Sequence, residues 1–357
     1  MKKFKYIVLT ALLTIILTAT TYAQENKAYS IVINGVITSA TDKFVKQSLA
    51  EAVENDAKVF VIKLNTPGGV LDATRNIVQS ILESPIPVAV YVSPQGGQAG
   101  SAGTFITLAA TYAVMAEGSN IGAAHPVMAT GGDIEGDMRA KAMNDTVAFM
   151  RSIAEKRGRN VEEVVLTVSE SKSFTASEAL HAGLNDGVVN NDASLLLMLE
   201  TSLEMAHELR MQEIKPTLMQ RFTFGLASPN ILMLLFLAGA LLIFLEFKMP
   251  GSFIFAGLGG LCLLFFLIGA NFLPVNVLGI LLILLAIGLL IAEMFVASFG
   301  LLTVGGIVAM VAGVMLTFDT DKTQGVSVSL GLIIVLVLLV VAIITLIGRL
   351  ILKDMKR

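Results

Sequence analysis

The stretch VFVIKLNTPGGV, residues 59–70, decides the fold. Five of its first six residues are apolar, and the β-branched and aromatic side chains among them are typical of a buried strand. The glycine pair at positions 68 and 69 indicates a turn. Residues 71–83, which follow, carry apolar side chains at helical spacing. A buried strand that passes through a turn into a helix predicts a layered α/β fold.

The same alternation of strands and helices continues on both sides of this stretch. Further strands are predicted at 28–36, 88–92 and 112–115, and further helices at 40–55, 101–110, 141–157 and 177–182. The section from residue 24 to about residue 225 has ordinary globular composition, and its roughly 200 residues are enough for one sizeable core. We therefore predict one α/β domain, and we place it at residues 24–195.

The composition of the whole chain excludes several function classes. The 357 residues are 55% hydrophobic with a mean hydropathy of +0.77, which is too apolar for one soluble domain and indicates a membrane protein. A net charge of −3 provides no basic surface for nucleic acid. The single cysteine, Cys262, excludes an intrachain disulfide, and three isolated histidines argue against a zinc site. We predict no metal and no cofactor.

Apolar residues are concentrated towards the two ends of the chain. Residues 1–23 combine a basic start, a short apolar run and small residues before a possible cut after Ala23, which predicts a signal peptide. An uncleaved membrane anchor is the alternative. Residues 196–222 have the mixed charge and spacing of an amphipathic helix, and we interpret 196–228 as a connector.

After Pro229 the composition becomes strongly apolar, which predicts an all-α, polytopic membrane domain over residues 229–350. Five spans are expected, at about 231–247, 252–270, 275–292, 300–317 and 328–348. The basic tail at 351–357 would then be cytoplasmic and the acidic loop at 318–323 external, which agrees with the positive-inside rule. The α/β domain would lie on the extracytoplasmic side of a bacterial cytoplasmic (inner) membrane.

The membrane domain contains a weak internal repeat. LEFKMPGSF followed by GLGG (245–260) is similar to AEMFVASFG followed by VGG (292–306). Each copy ends one span with a glutamate, Glu246 or Glu293, and places a glycine pair in the next span, where glycine allows helices to approach closely. A glutamate near a bilayer edge is either a functional group or a loop and interface residue.

The stretch GQAGSAGTF, residues 97–105, carries the candidate nucleophile, Ser101. A serine that starts a helix sits where backbone N–H groups and the helix dipole favour negative charge, so an alkoxide or oxyanion would be stabilised there. An ordinary N-cap serine is the alternative. Because position 99 is alanine, the stretch is not the Gly-x-Ser-x-Gly elbow of an α/β-hydrolase.

The glycine pair that follows the strand at 59–64 is a candidate oxyanion hole. Glycines at a strand end leave backbone N–H groups accessible, and the N–H of Gly69 could act together with the N–H of Ala102, the residue after Ser101. A plain turn is the alternative. A substrate strand could lie along Gly68, Val70 and Leu71 by backbone pairing.

Two residues are candidate bases. Lys141 follows Ser101 by 40 residues, comes after the glycine-rich segment 129–139, and begins a helix with an apolar face. Burial would leave its amine neutral, so that it could take the serine proton. A solvated lysine is the alternative, and His125, in GAAHP, is the rival base. The histidine would need an acid partner, for which the candidates are Asp72, Asp133 and Asp137.

Four motifs, TPGG, AGSAGT, IGAAHP and KAMN followed by RGRN (141–160), occur in this order. As an ordered set they resemble the NfeD family of membrane-bound ClpP-class serine proteases, the partner proteases of stomatin operons, and the resemblance covers nearly the whole chain. It implies that Ser101 is the nucleophile, that Lys141 is the general base, and that Gly68 and Gly69 provide the oxyanion hole. His125 would then line the substrate groove.

The resemblance also implies a ClpP/crotonase-like fold of repeated ββα units and self-association into a dimer or a higher homo-oligomer. Many long family members carry a soluble β-barrel of the OB type after the membrane spans, and we expect that domain to be absent here.

The sequence therefore predicts a membrane-anchored serine endopeptidase that cleaves apolar protein segments, with membrane lipid around its spans. The family resemblance implies that a stomatin-like membrane protein is its substrate or partner. A non-enzymatic scaffold that organises stomatin-like proteins or lipid domains is the main alternative. A crotonase-type acyl-CoA enzyme would share the fold, but the predicted signal peptide argues against it because acyl-CoA is cytoplasmic.

Overall fold

The computed structural model describes residues 26–126, 136–205, 208–248, 253–270, 276–293 and 301–317, together with residues 272, 329, 331, 333–335 and 338. The predicted signal peptide, the loop at 318–323, the basic tail and most of the span at 328–348 lie outside the described residues. So do Asp133 and the side chain of Asp137, and predictions about all of them stay predictions.

The described strands are β1 (Asn26–Asn34), β2 (Val59–Asn65), β3 (Val88–Val92), β4 (Gln98–Gly100), β5 (Tyr112–Ala116), β6 (Asn120–Gly122), β7 (Ser173–Thr175), β8 (Gly187–Val189) and β9 (Leu209–Glu213). Six of them form one sheet in the order β8-β5-β3-β2-β1-β9, and every pairing in it is parallel. Because parallel neighbours need crossover connections, helices must cover the sheet.

Helices cover both faces of this sheet. Those of the α/β part are α1 (Ser39–Glu54), α2 (Leu71–Leu82), α3 (Ala102–Ala109), α4 (Gly136–Arg157), α5 (Val161–Ser169), α6 (Ala176–His181) and α7 (Asp192–Ser202). Along β2, Phe60 and Ile62 face one cluster, which includes Phe44 of α1, whereas Val59 and Val61 face the opposite cluster with α7. This alternation with a period of two residues buries β2 on both faces, as its sequence predicts.

A second, smaller sheet brings the candidate site together. It has the order β4-β6-β7, and β4 lies against the end of β2. The Thr66 N–H donates to Gln98 O at 2.8 Å, and the Gly100 N–H donates to Thr66 O at 2.9 Å. The turn after β2 is therefore held directly beside the start of α3.

The elements predicted from 28 to 182 are confirmed in type and place, but the helix predicted over 196–222 is wrong. That region contains the end of α7, then β9, and then a new helix, α8 (Leu218–Leu226). Strand β9 pairs in parallel with β1, from Asn26 opposite Leu209 to Ser30 opposite Glu213. The open edge of β1 accepts this segment, so tertiary pairing overrides its local helical pattern.

The C-terminal part is helical, with α9 (Pro229–Lys248), α10 (Ile254–Ala270), α11 (Val277–Ala292) and α12 (Leu301–Thr317). No single described helix is both long and apolar enough to cross a bilayer, although α8 and Pro229–Ile243, bent by 76°, could do so as a pair by length and composition. The five-span topology stays a prediction.

The internal repeat has the same packing in both copies. A Cβ on Gly259 would lie 2.9 Å from Gly239 O, and a Cβ on Gly306 would lie 3.2 Å from Ala286 O. Both glycines therefore let α10 and α12 approach the preceding helix closely, as the sequence predicts.

The two repeated glutamates have a structural role. The Phe253 N–H donates to Glu246 Oε1, and the Thr303 N–H donates to Glu293 Oε2, each at 3.0 Å. Each carboxylate thus satisfies an N–H group at the start of the next helix, where negative charge is also favoured by the helix dipole. This role supports the interpretation of both residues as loop and interface groups.

We predict that Arg159, which is 7% exposed, is essential for stability. Its guanidinium donates to Leu108 O, Ala110 O and Leu184 O, and pairs with Asp186 at 3.1 Å. Replacement by methionine leaves these acceptors buried without a donor, so the free energy of unfolding should fall by about 3 kcal/mol.

Thermal unfolding of the purified full-length protein in detergent measures this change. Arg151→Met is the matched control, because Arg151 is exposed on α4 and its loss should change the free energy of unfolding by no more than about 0.5 kcal/mol. Equal midpoints for the two variants would contradict the assigned role of Arg159.

Candidate active site

Ser101 lies in a strained turn between β4 and α3. Its φ of +47° is rare for a residue with a side chain and costs on the order of 1–3 kcal/mol. The Ser101 N–H donates to Gly122 O at 2.9 Å, which helps to hold the turn. The side chain is 8% exposed and does not cap α3. Although Ala99 breaks the elbow pattern, the serine has the sharp strand-to-helix geometry of a nucleophile elbow.

The glycines around Ser101 allow two segments of backbone to approach each other. A Cβ on Gly100 would lie 2.8 Å from Pro67 O, and a Cβ on Gly103 would lie 2.7 Å from Thr66 Cγ2. Both distances are too short for real atoms. The glycines are therefore needed because the turn after β2 packs directly against the start of α3.

Thr66, which sequence analysis missed, stabilises that turn. It is fully buried, and its Oγ1 donates to Gly68 O at 2.9 Å and accepts from the Gly68 N–H at 3.0 Å. The turn also pairs with Ile37, because the Ile37 N–H donates to Gly68 O and the Val70 N–H donates to Ile37 O, both at 2.9 Å. A Cβ on Gly69 would overlap the Ile37 backbone.

Two backbone donors remain at the predicted oxyanion hole. Within the described residues, neither the Gly69 N–H nor the Ala102 N–H donates to a protein acceptor. One belongs to the turn after β2 and the other to the first turn of α3, so both lie at the junction that contains Ser101. This arrangement is suited to binding a developing negative charge on a substrate oxygen.

The predicted pairing of a substrate strand needs a correction at two positions. The N–H groups of Gly68 and Val70 already donate within the protein, to Thr66 Oγ1 and to Ile37 O. They are not available to a substrate in this arrangement. Leu71 is exposed at the start of α2, and its role in binding stays a prediction.

Thr104 is a second threonine that sequence analysis missed. Its buried Oγ1 lies 2.9 Å from Ala99 O and from Gly122 O, and it accepts from the Gly122 N–H at 3.1 Å. One side chain thus joins β4, β6 and the first turn of α3. These contacts brace the turn that contains Ser101, and no local pattern in the sequence indicates them.

Helix α4 runs beside α3 in the same direction. The Phe149 ring stacks on Phe105 with centroids 5.5 Å apart, and Arg157 Nε donates to Ala109 O at 2.6 Å. Lys141 lies two turns before Phe149, about 12 Å along the helix axis. Since Ser101 lies one turn before Phe105, Lys141 is at the same end of the helix pair as Ser101.

Arg75 fixes α4 against α2 close to Lys141. Its guanidinium carbon lies 4.4 Å from the centre of the Phe149 ring, and its Nη2 lies 2.6 Å from Asp145 Oδ2. Asp145 is one turn after Lys141 on α4. Sequence analysis missed this contact, because it joins residues that lie 70 positions apart in the chain.

The prediction that Lys141 is buried is wrong. The residue is exposed in the first half of α4. The hydrogen bond of the His125 ring among the described residues is not made to Ser101. The His125 ring is half-buried, and its Nδ1 lies 3.3 Å from Val168 O on α5. Asp72 is exposed on α2, so the described residues assemble no Ser-His-Asp triad.

Two arginines support the far end of α3. The side chains of Arg157 and Arg159 donate to carbonyls at its C-terminus, where the helix dipole favours cations. Burial lowers the pKa of Arg157, and the neighbouring charge of Arg159 lowers it further. Both side chains therefore stabilise the helix whose first turn contains Ser101.

The chain matches two family domains. Residues 27–208 match the domain described as "NfeD1b, N-terminal domain", and residues 230–348 match the domain described as "NfeD integral membrane domain".

Two similar proteins span both parts of the chain. The membrane-bound protease PH1510 of Pyrococcus horikoshii is 31% identical over 326 residues, which cover 87% of this chain and 73% of that protein. The membrane protein NfeD1b of Bacillus subtilis is 26% identical over 321 residues, which cover 85% of this chain and 70% of that protein.

A solved structure matches the α/β part. It is described as the 1510-N membrane-bound stomatin-specific protease, a lysine-to-alanine mutant in complex with a substrate peptide. It is 31% identical, with a TM-score of 0.52, and the match covers 55% of this chain and 95% of that structure. The predicted α/β class, followed by a helical C-terminal region, is confirmed. The chain belongs to the NfeD family.

Proposed function

We propose that this protein is a membrane-bound serine endopeptidase with Ser101 as its nucleophile. The observation that carries the proposal is the junction at the start of α3, where the strained Ser101 and the Ala102 N–H pack beside the turn after β2 that contains Gly69. Homology to a membrane-bound protease supports peptidase activity. No metal or cofactor has a part in the proposed reaction.

In the proposed mechanism, Ser101 Oγ attacks the carbonyl carbon of the scissile peptide bond. The carbonyl oxygen becomes negative and accepts hydrogen bonds from the Gly69 and Ala102 N–H groups. A base takes the serine proton and gives it to the leaving amine, so the peptide bond breaks and an acyl-enzyme forms. Water then attacks the ester by the reverse proton transfers, which releases the acid and restores the serine.

We assign the base to Lys141. It lies at the Ser101 end of the α3–α4 pair, and Arg75 holds that end of α4 through Asp145. The residue is exposed in the described structure, so a substrate that covers this end of α4 would have to desolvate the amine, which activates lysine for proton transfer. His125 faces α5 instead, and we assign it to the wall of the substrate groove.

We propose that the substrate is an apolar segment of a stomatin-like membrane protein, in its C-terminal region. The related protease structure is described as stomatin-specific. Within this chain, Val36 packs against the apolar cluster of the C-terminal helices, and its neighbour Ile37 pairs with the turn that carries Gly69. The candidate site is therefore built close to the membrane domain.

We expect the chain to form homo-oligomers. We place the α/β domain on the extracytoplasmic side of a bacterial inner membrane. The positive-inside pattern of the tail and of the loop at 318–323 supports the location. Resistance of the α/β domain to a protease added outside intact spheroplasts would contradict it.

A serine-directed fluorophosphonate probe should label the wild-type protein at Ser101. The Ser101→Ala variant should take up no label and should hydrolyse no peptide, because it lacks the attacking oxygen. Ser152→Ala is the control, since Ser152 is an exposed serine on α4. Labelling is measured by mass spectrometry of the intact protein. A wild-type protein that is folded but never labelled would instead favour the scaffold.

Lys141→Ala should lower kcat/KM for peptide hydrolysis by about 10²–10⁴-fold, which is the usual contribution of a positioned base. Lys156→Ala is a matched control, because Lys156 is exposed at the other end of α4 and should keep the wild-type rate. His125→Ala should change the rate far less than Lys141→Ala. Wild-type activity in Lys141→Ala, combined with an inactive His125→Ala, would move the base to His125.

The protein in proteoliposomes should cleave a peptide taken from the C-terminal apolar region of a stomatin-like protein. Replacing one apolar residue beside the cleavage site by aspartate should lower kcat/KM by at least about 10-fold, because burying one apolar side chain contributes about 1.5–3 kcal/mol. Cleavage is measured by mass spectrometry, with Ser101→Ala as the background. Equal rates for the apolar and the substituted peptide would contradict apolar specificity.

A further inference from the structure

Helix α8 joins the α/β part to the C-terminal helices, and one of its faces packs on α1. The Phe224 ring meets Phe44 edge-on with centroids 5.6 Å apart, and Gln220 Nε2 donates to Gln47 Oε1 at 2.8 Å. Thr217 caps its first turn through Gln220. This face is therefore an internal contact of the protein.

The opposite face of α8 exposes large apolar side chains. Leu218, Met219 and Phe222 are 85%, 73% and 49% exposed. At about 100° per residue, these three side chains lie within one arc of the helix, and Gln220 and Phe224 lie on the other side. Three large apolar groups on one short helix form a patch of the kind that marks an interaction surface.

The patch continues onto the apolar helices of the C-terminal part. The Phe222 ring meets Phe265 of α10 edge-on at 5.5 Å. On α10 itself, Leu261 and Leu264 are exposed. Residues 230–348, which include α10, match the integral membrane domain of the family. The exposed face of α8 is thus continuous with the surface of a domain that belongs in a membrane.

The direction of α8 also fits a membrane surface. It is bent by 76° from the apolar helix that starts at Pro229, so it runs nearly across that helix instead of along it. Arg221 is exposed at the edge of the apolar arc, and Lys215 is exposed three residues before the helix starts. A short helix with apolar groups on one side and basic groups at the edge of that side is typical of segments that lie in the headgroup region.

We propose that α8 lies in the plane of the membrane surface, with Leu218, Met219 and Phe222 inserted at the boundary between lipid headgroups and acyl chains. Its opposite face, through Gln220 and Phe224, holds the α/β domain above the bilayer. A second copy of the chain fits the patch less well, because three side chains are few for an interface that would have to bury about 800 Å² on each partner.

Nitroxide spin labels test this placement without any measurement of activity. The full-length protein carries Cys262→Ala, which removes its one cysteine, together with Met219→Cys or, in a second variant, Leu218→Cys. It is reconstituted in vesicles of phosphatidylethanolamine and phosphatidylglycerol. Gln212→Cys is the control, because Gln212 is exposed on β9. Collision rates are measured with oxygen, which concentrates in lipid, and with a nickel chelate, which stays in water.

Labels at 218 and 219 should collide several-fold more with oxygen than with the nickel chelate, and the label at 212 should show the reverse ratio. Labels at 218 and 219 that behave like the label at 212 would place α8 in water and overturn the proposal. Low collision rates with both reagents would show that protein covers the patch, which would also overturn it.

Discussion

The close approach of three backbone segments is the constraint on which the site depends. The turn after β2 touches Ile37 on one side and the start of α3 on the other, and Gly69 and Gly100 are each so close to a neighbouring backbone that a Cβ would overlap it. Pairing with Ile37 uses Gly68 O and the Val70 N–H. The N–H of Gly69, which lies between them, donates to no acceptor among the described residues.

The local elements of the α/β domain could be predicted because their signals lie within a few residues. Strand β2 is a short apolar run, and α2 has helical spacing directly after it. Strand β9 could not be predicted, because Leu209–Glu213 is a mixed-charge segment in which only Leu209 is buried. Its conformation is decided by hydrogen bonds to the edge of β1, which is about 180 residues earlier in the chain.

The candidate site was predicted in part, and the missing part has one physical cause. Ser101 and the glycine pair stand out locally, because helix starts and turns have short sequence signatures. The bonds that hold the turn of Ser101 come from Gly122 and Thr104, and the contact that holds α4 against α2 comes from Arg75. Such long-range contacts leave no periodic pattern, and the exposure of Lys141 likewise depends on what packs around it.

Val36 and Ile37 connect the C-terminal helices to the candidate site. Val36 packs against the C-terminal helical cluster, and Ile37 pairs with the turn that presents the Gly69 N–H. Helix α1, which starts two residues later, is the helix on which α8 packs. One contact before Ile37, at Val36, and one after it, between α1 and α8, thus connect the site to the C-terminal helices. A substrate segment that leaves the bilayer beside these helices would reach the site over a short path. For the proposed peptidase, a preference for membrane-bound substrates would follow from the position of the site next to the C-terminal helices.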